Sequence, residues 1–102
     1  MKNTVYQICL WLNDKETKIQ EISTESALEL VNKFTVKYFW AWTIHAGNWV
    51  YSHEDWTIVI EKTIIIDLIT EKPVNEYIET LKKVFNQESV LVKKSIENVE
   101  FL

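Results

Sequence analysis

Residues 56–69 read WTIVIEKTIIIDLI, and no other stretch limits the fold so tightly. Ile58, Ile60, Ile64, Ile66 and Leu68 fall on one side of a period-2 repeat, while Thr57, Val59, Glu61, Thr63 and Asp67 fall on the other. A strand with one aliphatic face and one mixed face needs an apolar layer against the first. The rest of the chain must supply its sheet neighbours and that layer.

Residues 4–12, TVYQICLWL, supply a neighbour of the same kind. Tyr6, Ile8, Leu10 and Leu12 share one face, and Val5, Gln7, Cys9 and Trp11 the other. Residues 36–51 favour strand through Val36, Tyr38, Phe39, Trp40, Trp42, Thr43 and Ile44, with SHED as the turn into the isoleucine strand. A last strand is expected over 89–101, with a bulge before Val99. Two helical stripes provide the cover. Ser23 or Thr24 caps a helix carrying Ala27, Leu30, Val31 and Phe34. Pro73 fits a first helical position ahead of Val74, Tyr77, Ile78, Leu81 and Phe85, with Lys82 and Lys83 in the last turn.

The order β-α-β-β-α-β predicts an α+β, ferredoxin-like single domain over residues 1–102, with two helices on one face of a four-stranded antiparallel sheet. The other face is left to solvent or to a partner. With 47% hydrophobic and 25% charged residues, the chain has enough apolar content for a core and gives no case for disorder. Its net charge of −4 argues against binding a phosphate backbone. Cys9 is the one cysteine and sits in an apolar run, which fits packing rather than a reactive thiol. Asn3, Tyr6 and Gln7 interrupt any signal-peptide core, and no apolar run reaches the ~18 residues of a membrane span. A cytoplasmic location is the expectation.

The composition is odd in one place. Average usage would give this length about seven glycines; it has one, Gly47, and five tryptophans. Four of those tryptophans lie in residues 38–56, YFWAWTIHAGNWVYSHEDW, beside Ala41, Ala46, Gly47 and Ser52. Asp55–Trp56 is the sharpest case. After Asp in a tight hairpin turn the backbone often needs a positive φ, which glycine accepts and a bulky residue resists.

Catalytic chemistry is hard to find in this pattern. His53, Glu54 and Asp55 are consecutive at a turn, where neighbouring side chains diverge, and His45 is eight residues away, so no metal site is expected. Glu61 and Asp67 share a strand face but lie about 20 Å apart, too far for a carboxylate pair. One glycine cannot build a phosphate loop. An exposed aromatic sheet could stack RNA bases, yet TIVIEKTIII lacks the basic, glycine-containing strand that such domains use. These absences predict a protein that is not an enzyme and needs no cofactor.

Phe39, Thr43, Ile44 and His45, followed by Thr57-Ile58-Val59-Ile60-Glu61, resemble a small family of uncharacterised bacterial and phage proteins. In that family an aromatic hairpin leads into a strand of this type. The resemblance runs loosely over most of the chain and implies no activity. Against it, Trp40–Ala41, Trp49 and Trp56 stand where such hairpins favour glycine. Glycine lost and tryptophan gained is what a scaffold engineered for binding would display. The expectation is therefore a non-catalytic module that binds another protein through the 38–56 hairpin. Its contacts would be Trp40, Trp42, His45, Asn48, Trp49, Tyr51, Ser52 and Trp56. Two alternatives stand beside it: a homodimer closed by the aromatic sheet face, and a Trp-lined small-molecule site.

Overall fold

A computed structural model of the chain describes residues 2–102. The elements run β1 (Lys2–Trp11), α1 (Thr24–Thr35), β2 (Thr43–Ser52), β3 (Ile58–Ile69), α2 (Asn75–Val84) and β4 (Leu91–Asn98). The strands form one antiparallel sheet in the order β2-β3-β1-β4. This is the expected β-α-β-β-α-β arrangement, and it places β1 and β3 at the centre.

The core follows from alternation on those two strands. Register sets Tyr6 opposite Leu68, Ile8 opposite Ile66 and Leu10 opposite Ile64, so their side chains form a continuous apolar face. Ala27 and Val31 of α1, and Tyr77 and Leu81 of α2, pack on it and are fully buried. Two hydroxyl pairs tie the helical layer together. Thr35 Oγ1 donates to the Val31 carbonyl at 2.6 Å, so Tyr77 must be the donor in its 2.7 Å contact with Thr35. The same logic makes Tyr38 the donor to Thr80, whose hydroxyl is given to the Glu76 carbonyl.

Three elements differ from expectation in their bounds. Residues 36–42 are not strand, because the amides of Val36, Lys37, Tyr38 and Phe39 turn back to carbonyls of Asn32, Phe34 and Thr35 at the end of α1. That turn drives Phe39 into the core, edge-on to Tyr77 at 5.2 Å. Pro73 precedes the helix cap, Val74, and is not itself the first helical residue. β4 pairs without interruption from Leu91 to Asn98 and then stops, so the expected bulge and its continuation to residue 101 are absent.

The distal part of the β2–β3 hairpin reaches beyond the helices. Ile58 and Ile60 point to the helix side yet are 66% and 62% exposed, so only the Ile64–Leu68 half of that face is core. At the tip, Trp56 donates its amide to the His53 carbonyl at 2.9 Å and has φ 68°, while Thr57 donates to Asp55 Oδ1. The positive φ anticipated after Asp55 is therefore present, in a residue 86% exposed. A left-handed backbone costs a non-glycine residue roughly 1–2 kcal/mol. Trp56→Gly should leave the melting midpoint unchanged or raise it, and a markedly lower midpoint would show that the indole supports the fold.

Tyr77 gives a second expectation. Burial pushes its phenol up to about 12 from a reference of 10.0. The folded state holds this proton more tightly than the unfolded one, so the stabilisation is complete below pH ~10 and is lost as pH rises toward 12. Chemical unfolding followed from pH 8 to 12 should show a steeper alkaline decline for the native chain than for Tyr77→Phe. Below pH 10 that variant should be less stable by about 1 kcal/mol, the size of one hydrogen bond. Parallel pH profiles would refute the assignment.

Candidate functional site

One face of the sheet carries no helix, and its residues can be read from the registers. Across β2, β3, β1 and β4 one row is Thr43, Asp67, Gln7 and Lys93, and the next is His45, Ile65, Cys9 and Leu91. Then come Gly47, Thr63 and Trp11, followed by Trp49 with Glu61 and Tyr51 with Val59. The face thus changes from a mixed polar and aliphatic half to an aromatic half. Gln7 Nε2 donates to Asp67 Oδ1 at 3.2 Å in the first half. Cys9 is buried there, and desolvation raises its thiol pKa, which fits packing rather than nucleophilic chemistry.

The aromatic half is organised around β3. Trp11 on β1 and Trp49 on β2 meet across the intervening strand, with ring centroids 5.2 Å apart and an interplanar angle of 64°. Thr63 is buried on this face. Gly47 is small for a packing reason, since a Cβ there would lie 3.2 Å from Ile65 Cδ1. The Trp11 Nε1–H is buried without an acceptor among the described residues, an uncommon state for an indole.

Beside these rings opens a cleft of ≈ 480 Å³. Trp11, Tyr51, Val59 and Glu61 line it from the sheet, and His53 from the hairpin, with its ring edge-on to Tyr51 at 5.6 Å. The opposite wall combines Asn13, Asp14, Lys15 and Lys18 of the β1–α1 loop with Gln87, Glu88 and Ser89 after α2. Local chemistry holds that wall in place. Asn86, with φ 50°, ends α2 in the left-handed cap that Asn tolerates well: its amide returns to Lys83, and the Gln87 amide to Lys82. Asn86 Nδ2 then reaches Asp14 Oδ2 at 2.8 Å, and Gln87 Nε2 reaches the Asn13 carbonyl at 2.6 Å. Asn86, joined by the amides of Glu16 and Thr17, holds the Asp14 carboxyl below its usual pKa. Glu61 Oε2 accepts from the Asn13 amide at 3.2 Å, linking floor to wall.

The residues expected to form one protein-binding surface are dispersed. His45, Trp49 and Tyr51 do share the open face. Asn48 and Ser52 point to the other side of β2, where Asn48 accepts from Lys62 Nζ at 2.9 Å. Trp42 packs toward the core and donates its indole to Asn32 Oδ1 at 2.8 Å. Trp40 lies in the α1–β2 connection, 89% exposed, and Trp56 is at the hairpin tip. Trp11, Glu61 and the Asn13–Lys18 wall are the residues that gather instead. Among the described residues no helix is long and apolar enough to cross a membrane, and no group of three His, Cys, Asp or Glu could hold a metal ion.

No family profile and no curated protein matches the sequence. Two solved structures match the fold. A phage SAM lyase in complex with S-methyl-5′-thioadenosine superposes with TM-score 0.62 at 19% identity, covering 91% of this chain and 80% of that one. A phage SAM lyase in the apo state gives 0.59 at 17% identity, covering 99% and 93%. These neighbours correct two expectations, the non-catalytic protein-binding module and the exclusion of an enzyme. The fold is shared with phage SAM lyase, an enzyme, and the tryptophans do not assemble the surface on which the binding-module reading depended.

Proposed function

We propose that the chain is a lyase that takes a sulfonium nucleoside of the S-adenosylmethionine type into the open-face cleft and breaks a carbon–sulfur bond. The observation that carries this reading is the fold shared with phage SAM lyase over 91% of the chain. The cleft chemistry supports it. Aromatic faces attract a cation that has little hydration to lose, and a carboxylate completes the attraction. Trp11, Tyr51 and Glu61 offer that combination on adjoining strand positions. The volume also falls within the ~300–1,000 Å³ range of small-molecule sites.

Cleavage leaves the bonding pair on sulfur, so the sulfonium becomes a neutral thioether. When the bond to the amino-acid side chain breaks, that thioether is S-methyl-5′-thioadenosine. A lyase adds no water, so the amino-acid fragment completes its valence internally, by losing a proton or by closing on its own carboxylate. Glu61 attracts a charge that disappears in this step. Its contribution therefore falls on binding more than on the rate.

Incubation with S-adenosylmethionine, followed by chromatography, should show time-dependent release of S-methyl-5′-thioadenosine. Glu61→Gln should raise KM about tenfold, equivalent to ~1.4 kcal/mol, with kcat changed less than about threefold. A native chain that neither binds nor cleaves the sulfonium would refute the proposal. An active chain indifferent to Glu61→Gln would place the chemistry outside this cleft.

A further inference from the structure

The two edges of the sheet are protected unequally. β4, at one edge, carries Lys93, Lys94 and Glu97, the kind of charge that blocks further strand pairing. β2, at the other, runs ten residues from Thr43 to Ser52 without an Asp, Glu, Lys, Arg or Pro. Its free backbone groups follow from the hairpin register. The His53 amide donates to the Thr57 carbonyl, so the odd-numbered residues of β2 direct their backbone groups to β3. The amides and carbonyls of Ile44, Ala46, Asn48, Val50 and Ser52 therefore point outward, and all of these residues but Ile44 are exposed. The nearest charges sit one strand inward and are already held. Lys62 donates to Asn48 Oδ1, and Glu61 accepts from the Asn13 amide. The hairpin also overhangs the helices, which leaves Val50, Ile58 and Ile60 without cover.

We infer that β2 is the docking edge for a second copy of this chain, paired antiparallel about a two-fold axis at Asn48. In that register every outward-facing residue meets another: Asn48 its own copy, Val50 the second copy's Ala46, and Ser52 its Ile44. On the open face Trp49 comes opposite Gly47, so the bulkiest side chain of the strand meets the residue that has none. His45 comes opposite Tyr51, which lines the cleft, so each copy borders the other's site. On the helix side the Ile60–Val50 row continues into Ala46 and Ile64 of the second copy, and the Ile58–Ser52 row into its Ile44 and Ile66. The exposed rows of one overhang thereby run into the core rows of the other. These matched pairs on both faces favour a second copy over an unrelated strand. The inference stands independently of the lyase reading.

Sedimentation equilibrium from micromolar to millimolar loading should show the mass of two chains replacing that of one as concentration rises. Val50→Pro removes an outward amide and no bond to β3, so it should weaken association at least about tenfold while far-UV circular dichroism stays native. Val50→Lys keeps the amide but charges the edge, and should weaken association as much; it decides the case if proline unfolds the chain. Asn48→Cys should give a disulfide-linked dimer under mild oxidation, since directly paired residues lie within disulfide reach, whereas Lys94→Cys on the opposite edge should not. A native chain that stays monomeric at every concentration would overturn the inference, even if an added peptide strand paired with β2. A dimer indifferent to both Val50 variants, or one linked through Lys94→Cys and not through Asn48→Cys, would overturn it equally.

Discussion

Everything in this molecule hangs on the pairing of β1 with β3. Both strands alternate, and their register aligns the two apolar rows on one side of the sheet and the two mixed rows on the other. A slip of β1 by one residue would turn Ile8 and Leu10 away from the helices and bring Gln7 and Cys9 beneath them, beside an unchanged β3. The same pairing that builds the core therefore also assembles the open face. Trp11 and Glu61 belong to one surface because Ile8 and Ile66 belong to the other.

A second constraint shapes the site from the far side. α2 ends in a left-handed Asn86, and that turn delivers Asn86 and Gln87 to a loop more than seventy residues earlier in sequence. The hydrogen bonds from Asn86 to Asp14 and from Gln87 to Asn13 convert a polar connection into a wall. The hairpin contributes the third side through Tyr51 and His53. Three segments remote in sequence thus meet at one end of the sheet, two of them joined by the Asn86 and Gln87 side chains.

That geometry explains what could be read from the residues and what could not. The faces of β1 and β3, the stripes of both helices and the Ser23 cap were legible because each is a periodic or adjacent-residue signal. The positive φ at Trp56 was legible because Asp55–Trp56 sits where turn chemistry demands it. The stretch 36–42 misled because aromatic and β-branched residues favour strand, while the capping turn of α1 claims their amides. The wall of the cleft gave no signal, since NDKETK reads as an ordinary polar loop until Asn86 and Gln87 reach it. Nucleophiles, metal ligands and paired carboxylates are the signatures of catalysis that a sequence displays, and the proposed reaction, whose substrate brings its own charged leaving group, requires none of them.

The five tryptophans supply five indole N–H probes spread over the fold, and they allow the most direct test of an open-face ligand site. In ¹⁵N-labelled protein titrated with S-methyl-5′-thioadenosine, the indole signals of Trp11 and Trp49 should move together and saturate. Those of Trp40, Trp42 and Trp56, which lie in the α1–β2 connection, against α1 and at the hairpin tip, should stay in place. Movement confined to Trp40, Trp42 or Trp56, or no saturable movement at all, would contradict the site described for this face.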